Sequence, residues 1–146
     1  MNNDIFEKVE NACLIRQRVL DYLRCRIAFS GKMGAGKSTL AKMIKDYFRE
    51  HECDFKIFSF ATGVKKVAID FFNMDPEKKN RELLIQIGNK MREIDPDVWA
   101  KRVISEVGEW DFCLVDDLRY RNEADYLKKN GFTLVKLRIS PELQEK

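Results

Sequence analysis

Apolar positions along this chain fall into two periods, and the alternation between them sets out its architecture. Four short apolar runs read as strands: residues 27–30, 55–60, 112–115 and 132–139. Between them the apolar residues recur every three to four positions, the spacing of a helix with one buried face. Leu40, Met43, Ile44 and Phe48 share such a face and predict a helix from Gly36 to about Glu50 or His51. Three further helices are predicted over 63–72, 76–93 and 96–108, the last two opened by Asp75-Pro76 and Asp95-Pro96, an acidic cap followed by proline in the first turn. A helix over 122–129 stops at Asn130-Gly131. Ahead of the first strand, Ile5, Val9, Ala12, Cys13 and Leu20 or Leu23 predict an amphipathic helix over 4–23.

Strands that alternate with helical crossovers imply a parallel sheet covered on both faces. The expected fold is therefore α/β: three layers around a parallel sheet of about four strands, in one domain over 1–146, with a helical extension over 4–23 and a core over 25–139. In such sheets ligands lie at the carboxyl ends of the strands. Three segments fall there: residues 31–38, Ser59-Phe60-Ala61-Thr62 and Asp116-Asp117.

The first of these, Gly31-Lys32-Met33-Gly34-Ala35-Gly36-Lys37-Ser38, fits the phosphate-binding loop G-x-x-x-x-G-K-[ST] and has the strand before it and the helix after it that the motif requires. Glycines let the backbone curl around a polyphosphate with its N–H groups turned inward. The following helix points the positive end of its dipole at the same anion. Lys37 can reach the β- and γ-phosphates of ATP, and the Ser38 hydroxyl can hold Mg²⁺. Gly31, Met33, Gly34, Ala35, Gly36, Lys37, Ser38 and Thr39 are thus the expected ATP contacts. An acidic residue at the end of a neighbouring strand supports the metal in such sites, and Asp116 and Asp117 both qualify; either could instead cap a helix.

Phosphoryl transfer also needs cations that grip the acceptor and offset charge on the transferred group, work for which the planar arginine fork is suited. Arg81, Arg92, Arg119 and Arg121 are the candidates, and each could equally be a solvated helix charge. Gln86 lies on a helix whose Leu83, Leu84 and Ile87 face the core, and its amide could donate to and accept from a base edge. Trp99, beside Val98 and Val103, reads as core. His51, the lone histidine, reads as a favourable charge at a helix end. Nothing pairs it with a serine or cysteine for covalent catalysis.

Composition narrows the remaining classes. With 45% apolar and 35% charged residues this is an ordinary globular composition. A formal charge of +3 is too small to argue for duplex nucleic acid or a membrane surface, so neither is an expected partner. Cys13, Cys25, Cys53 and Cys113 are scattered, without a C-x-x-C pair, which argues against zinc and for buried thiols in a reducing compartment. Without a signal peptide or a membrane-spanning apolar run, a cytoplasmic location is expected. The partners expected are small-molecule nucleotides, with a homodimer left open.

Four stretches together resemble the bacteriophage-type deoxynucleoside monophosphate kinases, within the adenylate-kinase-like group of phosphate-loop kinases. They are the loop at 31–38; Phe60-Ala61-x-x-Val64-Lys65; the segment from Arg81 through Gln86-Ile87-Gly88 and Arg92 to Ile94-Asp95-Pro96-Asp97-Val98-Trp99; and Asp117-Leu118-Arg119-Tyr120-Arg121-Asn122-Glu123-Ala124. The likeness spans roughly residues 25–139. The last stretch resembles the family's D-V-R-F-x-N-E-A segment, which puts Asp117 at the acidic position. The resemblance implies transfer of the ATP γ-phosphate to a nucleoside monophosphate with Mg²⁺. It implies Lys37, Arg92 and Arg119 as catalytic, Ser38 and Asp117 on the metal, and Lys65, Arg81, Gln86, Arg92 and Arg119 on the monophosphate. Catalysis of this kind is alignment and charge stabilisation and needs no base.

The chain departs from that pattern in three places. Thr62-Gly63 stands where Asp-Pro is usual, the opening helix is longer, and residues 140–146 end where an arginine-bearing lid, a fifth strand and a closing helix would follow. Without a lid, weak transfer, wasteful hydrolysis or arginines from another chain are expected. Two alternatives therefore accompany the kinase reading: a phosphate-loop kinase of another small phosphorylated metabolite, and an ATP-binding module with little catalysis.

Overall fold

The computed structural model describes residues 24–138 together with Glu7, Lys8 and Asn11. Those three are helical; the rest of the helix expected over 4–23, its packing on the sheet, Cys13, and residues 139–146 lie outside the described residues. The elements in chain order are β1 (Cys25–Ser30), α1 (Lys37–Glu50), β2 (Lys56–Phe58), α2 (Phe60–Phe72), α3 (Arg81–Ile94), α4 (Val98–Val107), β3 (Phe112–Leu118), α5 (Arg121–Lys129) and β4 (Thr133–Lys136).

All pairings are parallel, and the four strands lie in the order β2-β3-β1-β4. From β1 the chain crosses to β2 on the far side of β3; from β3 it crosses to β4 on the far side of β1. The direction of winding reverses between the two central strands, and their carboxyl ends open the crevice where an α/β sheet takes ligand. Alternation along the strands divides the core. Phe29 and Leu114 face α1 with Phe55 and Ala41, whereas Ala28, Cys113 and Val115 face the four other helices with Phe60, Trp99, Val103 and Leu127. This is the expected α/β arrangement of helix, parallel sheet and helix layers.

Several boundaries differ from the sequence expectation. β2 ends at Phe58 rather than residue 60, because the Phe60 and Ala61 amides already donate to a carboxylate across the sheet and begin α2 three residues early. α3 starts at Arg81, not at Pro76. Asp75 accepts from the Glu77 amide in a local turn, and Asn80 is the cap, its Oδ1 taking the Leu83 amide at 3.1 Å. α4 starts at Val98 for the same reason, with Asp95 Oδ1 closing a turn onto the Asp97 amide. β3 runs through both aspartates to Leu118, and β4 covers only Thr133–Lys136 of the expected 132–139. Trp99 is core, 2% exposed, its indole N–H donating to the Gly88 carbonyl at 3.2 Å. His51 is the C-cap of α1, with Nδ1 2.8 Å from the Tyr47 carbonyl. Gly63 lies where α2 meets α4: a Cβ there would stand 2.9 Å from Arg102 Cδ and 3.2 Å from the Trp99 ring, so glycine is what allows this approach.

Candidate functional site

The phosphate loop leaves β1 at Ser30 and enters α1 at Lys37. Gly34 and Gly36 have φ of 82° and 89°, values open to glycine but strained for other residues, and the space a Cβ would fill at each is open. α1 begins without a side-chain cap and without an acidic residue in its first turn, so its leading N–H groups and dipole face the hollow uncompensated. Gly31, Met33, Gly34, Gly36, Lys37, Ser38 and Thr39 line that hollow, a cavity of about 590 Å³. Lys37 Nζ donates to the Gly31 carbonyl at 2.7 Å, which folds the ammonium back over the loop. The donor set suits a triphosphate: amides and a cation, with no carboxylate on the rim.

No group of three or more metal-binding side chains occurs among the described residues. A Mg²⁺ ion here would therefore depend on phosphate oxygens, with the Ser38 hydroxyl and one aspartate in support, the way this ion is usually held beside nucleotides.

The two aspartates at the end of β3 have different surroundings. The β1–β3 register advances two residues on β1, from Ala28 to Ser30, and three on β3, from Val115 to Leu118, so the strand bulges at Asp116-Asp117. Asp117 is taken up by the start of α2. Its Oδ2 accepts from Ser59 Oγ at 2.7 Å and from the Ala61 amide at 2.9 Å, and its Oδ1 accepts from the Phe60 amide at 2.9 Å. Among the described residues, Asp116 makes no side-chain bond to another residue. Burial raises its carboxyl above the usual range and the adjacent Asp117 charge adds to this, while a backbone hydrogen bond and the Lys37 charge lower it. The capping role thus belongs to Asp117, and Asp116 feels the charge of the loop lysine.

A second cavity, of about 520 Å³, opens between α2, α3 and the end of β3. Its apolar side is formed by Phe60, Val64, Leu84 and Ile85, and its cations are Lys65, Arg81, Arg92 and Arg119. Its size is within the range of small-molecule sites. On α3 the lining residues Arg81, Leu84, Ile85, Gly88, Asn89 and Arg92 follow helical spacing. Gln86, one step of about 100° beyond Ile85, is exposed and off this lining, unlike the other residues expected at the monophosphate. Asn89, passed over in the sequence, stands on the lining stripe; its spacing from Ile85 and Arg92 is the signal that could have found it. Glu123 was also missed as a site residue. It is 1% exposed and receives the Arg92 guanidinium at 3.2 and 3.3 Å. Arg121 is exposed and off both linings. Met33 and Arg119 line both cavities, so the two hollows share a wall.

The fold and loop define an α/β phosphate-loop protein. No protein-family model matches the chain. It is 26% identical over 110 residues to the uncharacterized protein ORF76 of Ictalurid herpesvirus 1 (strain Auburn), a match covering 72% of this chain and 44% of that protein. The chain therefore spans less than half the length of the curated relative it matches. Among solved structures it aligns with a mutant of the Mycobacterium tuberculosis APS kinase CysC at 11% identity and a TM-score of 0.44, covering 78% of this chain and 76% of that one. A likeness that distant carries no argument about activity. No helix among the described residues is long and apolar enough to cross a membrane.

Proposed function

We propose that this protein transfers the γ-phosphate of ATP to a nucleoside monophosphate. The observation that carries the reading is the shared wall: Met33 and Arg119 belong both to the phosphate-loop hollow and to the cationic cavity beside it. A donor and an acceptor bound in the two would meet at Arg119. Lys65, Arg81 and Arg119 form no ion pair among the described residues, so their charges are available to an anion. The apolar side at Phe60, Val64, Leu84 and Ile85 suits the base of the acceptor.

In this reading the loop amides and Lys37 hold the β- and γ-phosphates. Arg92 and Lys65 grip the acceptor phosphate, and Arg119 stands where charge accumulates between the two. Ser38 and Asp116 would hold Mg²⁺, which when bound neutralises the phosphate oxygens. Asp117, which the family resemblance puts on the metal, lines the second cavity and fixes the start of α2, and so the placement of Val64 and Lys65. The acceptor hydroxyl is already ionised as a phosphate oxygen, and no residue is required as a base.

The test is a coupled assay with ATP, Mg²⁺ and a panel of ribo- and deoxynucleoside monophosphates. ADP formation above the rate with ATP alone is expected for at least one of them. No stimulation by any monophosphate refutes the reading.

A further inference from the structure

The Arg92 side chain is flanked by Glu123, Tyr120 and Gly88. Its Nε and Nη2 donate to one oxygen of Glu123, Oε1, at 3.3 and 3.2 Å. Its Cζ lies 4.3 Å from the centre of the Tyr120 ring, within cation–π range. Beneath it is Gly88, one helical turn earlier, where a Cβ would approach Nη1 to 3.3 Å. Of the guanidinium nitrogens only Nη1 has no hydrogen-bond partner among the described residues, and Arg92 lines the second cavity.

Glu123 is itself held. It sits at the third position of α5, and a backbone hydrogen bond from Tyr120 at the helix cap favours the same carboxylate, while the Tyr120 side chain makes no cap bond in return. Burial pushes its carboxyl up, and the Arg92 charge and hydrogen bond partly reverse this. A carboxylate 1% exposed is costly unless it is paired, and a single arginine 23% exposed at the side chain supplies that pairing. For stability alone an apolar pair of similar volume would serve as well. What the ionic pair adds is a fixed direction: two nitrogens are spent on Glu123, the face on Tyr120, and the remaining edge points away from both.

We propose that Glu123 and Tyr120 are positioning residues that lock the Arg92 guanidinium with its Nη1 edge presented to the phosphate of the acceptor. The inference rests on the acceptor reading given above and deepens it, because it assigns the recognition of that phosphate to a preset arginine rather than to a mobile one. A preset fork loses less side-chain entropy on binding than a free chain, which is where its affinity comes from.

Two measurements on Glu123→Gln, Tyr120→Leu and Tyr120→Phe test this. The first is the Arg92 Hε resonance in a ¹⁵N-correlated spectrum of the full chain without ligand. A slowly exchanging, shifted signal is expected in the wild type, weakened in Glu123→Gln and Tyr120→Leu and kept in Tyr120→Phe. The second is steady-state kinetics with the best monophosphate of the panel. The acceptor KM is expected to rise about tenfold in Glu123→Gln, the loss of one charge-assisted contact, with the KM for ATP unchanged. Tyr120→Phe, which retains the ring, is expected to keep most of the acceptor affinity. A purely structural pair would lower the unfolding midpoint and leave the acceptor KM alone; that result, or an Arg92 signal unaltered in Glu123→Gln, overturns the proposal. If the wild type turns over no monophosphate, the acceptor reading falls and takes the role in recognition with it. The Arg92 signal then still decides whether the side chain is locked.

Discussion

Replacing Asp117 tests whether the second aspartate of β3 serves the fold or the metal. Its carboxylate accepts three hydrogen bonds from the start of α2, one from Ser59 Oγ and two from the Phe60 and Ala61 amides. Loss of a helix cap costs about 0.5–2 kcal/mol. A hydrogen bond to a charged group contributes about 1.5–3 kcal/mol, and the three here share one carboxylate. Ala61 is exposed and Ser59 half-buried, so both can turn to water, whereas Phe60 is buried. The three losses therefore do not add, and about 2–3 kcal/mol is expected for Asp117→Ala, a fall in Tm of about 6–12 °C for a chain of this size. Urea unfolding without nucleotide reads the loss. Asp116→Asn is the control: it removes no cross-sheet bond and should leave the midpoint near that of the wild type or above it. Calorimetric ATP titrations with and without Mg²⁺ then separate the roles. Asp116→Asn should weaken the Mg²⁺-dependent part of ATP affinity about tenfold, the scale of one lost charge-assisted contact. An Asp117→Ala protein as stable as the wild type refutes the capping argument, and Mg²⁺ dependence lost in Asp117→Asn but kept in Asp116→Asn refutes the assignment.

Three further outcomes are expected. Lys37→Ala should weaken ATP binding about a hundredfold while leaving the unfolding midpoint nearly unchanged, because among the described residues Nζ bonds only the Gly31 carbonyl and the loss falls on the bound phosphates; unchanged affinity by titration calorimetry would remove the loop from the mechanism. Burial raises the Cys113 thiol to about 11, so the thiolate is scarce at pH 8 and a thiol reagent should react with Cys53 well before Cys113 in the folded protein. The same shift means that the stabilisation from keeping this thiol protonated is complete below the ordinary thiol range and lost as pH rises through about 11, an alkaline limb that Cys113→Ala should reduce in unfolding experiments. Asn122→Ala removes side-chain bonds of 2.8 Å to the Pro96 carbonyl and 3.0 Å to Asp97, and should cost about 1 kcal/mol by urea unfolding.

What could be read in the sequence and what could not divides along the distance between interacting residues. The phosphate loop is local: eight consecutive residues carry its glycines, its lysine and its hydroxyl, and the flanking strand and helix declare themselves by period. The ends of helices were less legible, because an aspartate before proline serves a tight turn as readily as a helix. Asp75 and Asp95 both chose the turn, leaving Asn80 and Asp97 at the caps. The aspartate pair could not be resolved from sequence at all: strict alternation puts neighbours on opposite faces, and only the bulge in the β1–β3 register reveals where each carboxylate goes.

The wall of the second cavity was hidden for a related reason. Its fixed points join residues 31 and 26 positions apart: Arg92 with Glu123, and Asn122 with the Pro96 carbonyl. Both partners leave the first turn of α5, and α5 starts where β3 ends, next to the β1 strand that delivers the phosphate loop. Two of the stretches quoted for the resemblance, 94–99 and 117–123, thus meet at one joint. Through it the helix carrying Arg81, Asn89 and Arg92 is tied to the central strands, and the cationic cavity keeps its register with the phosphate loop. A change at Asn122 should therefore reach acceptor affinity through the placement of Arg92, although Asn122 itself lines neither cavity.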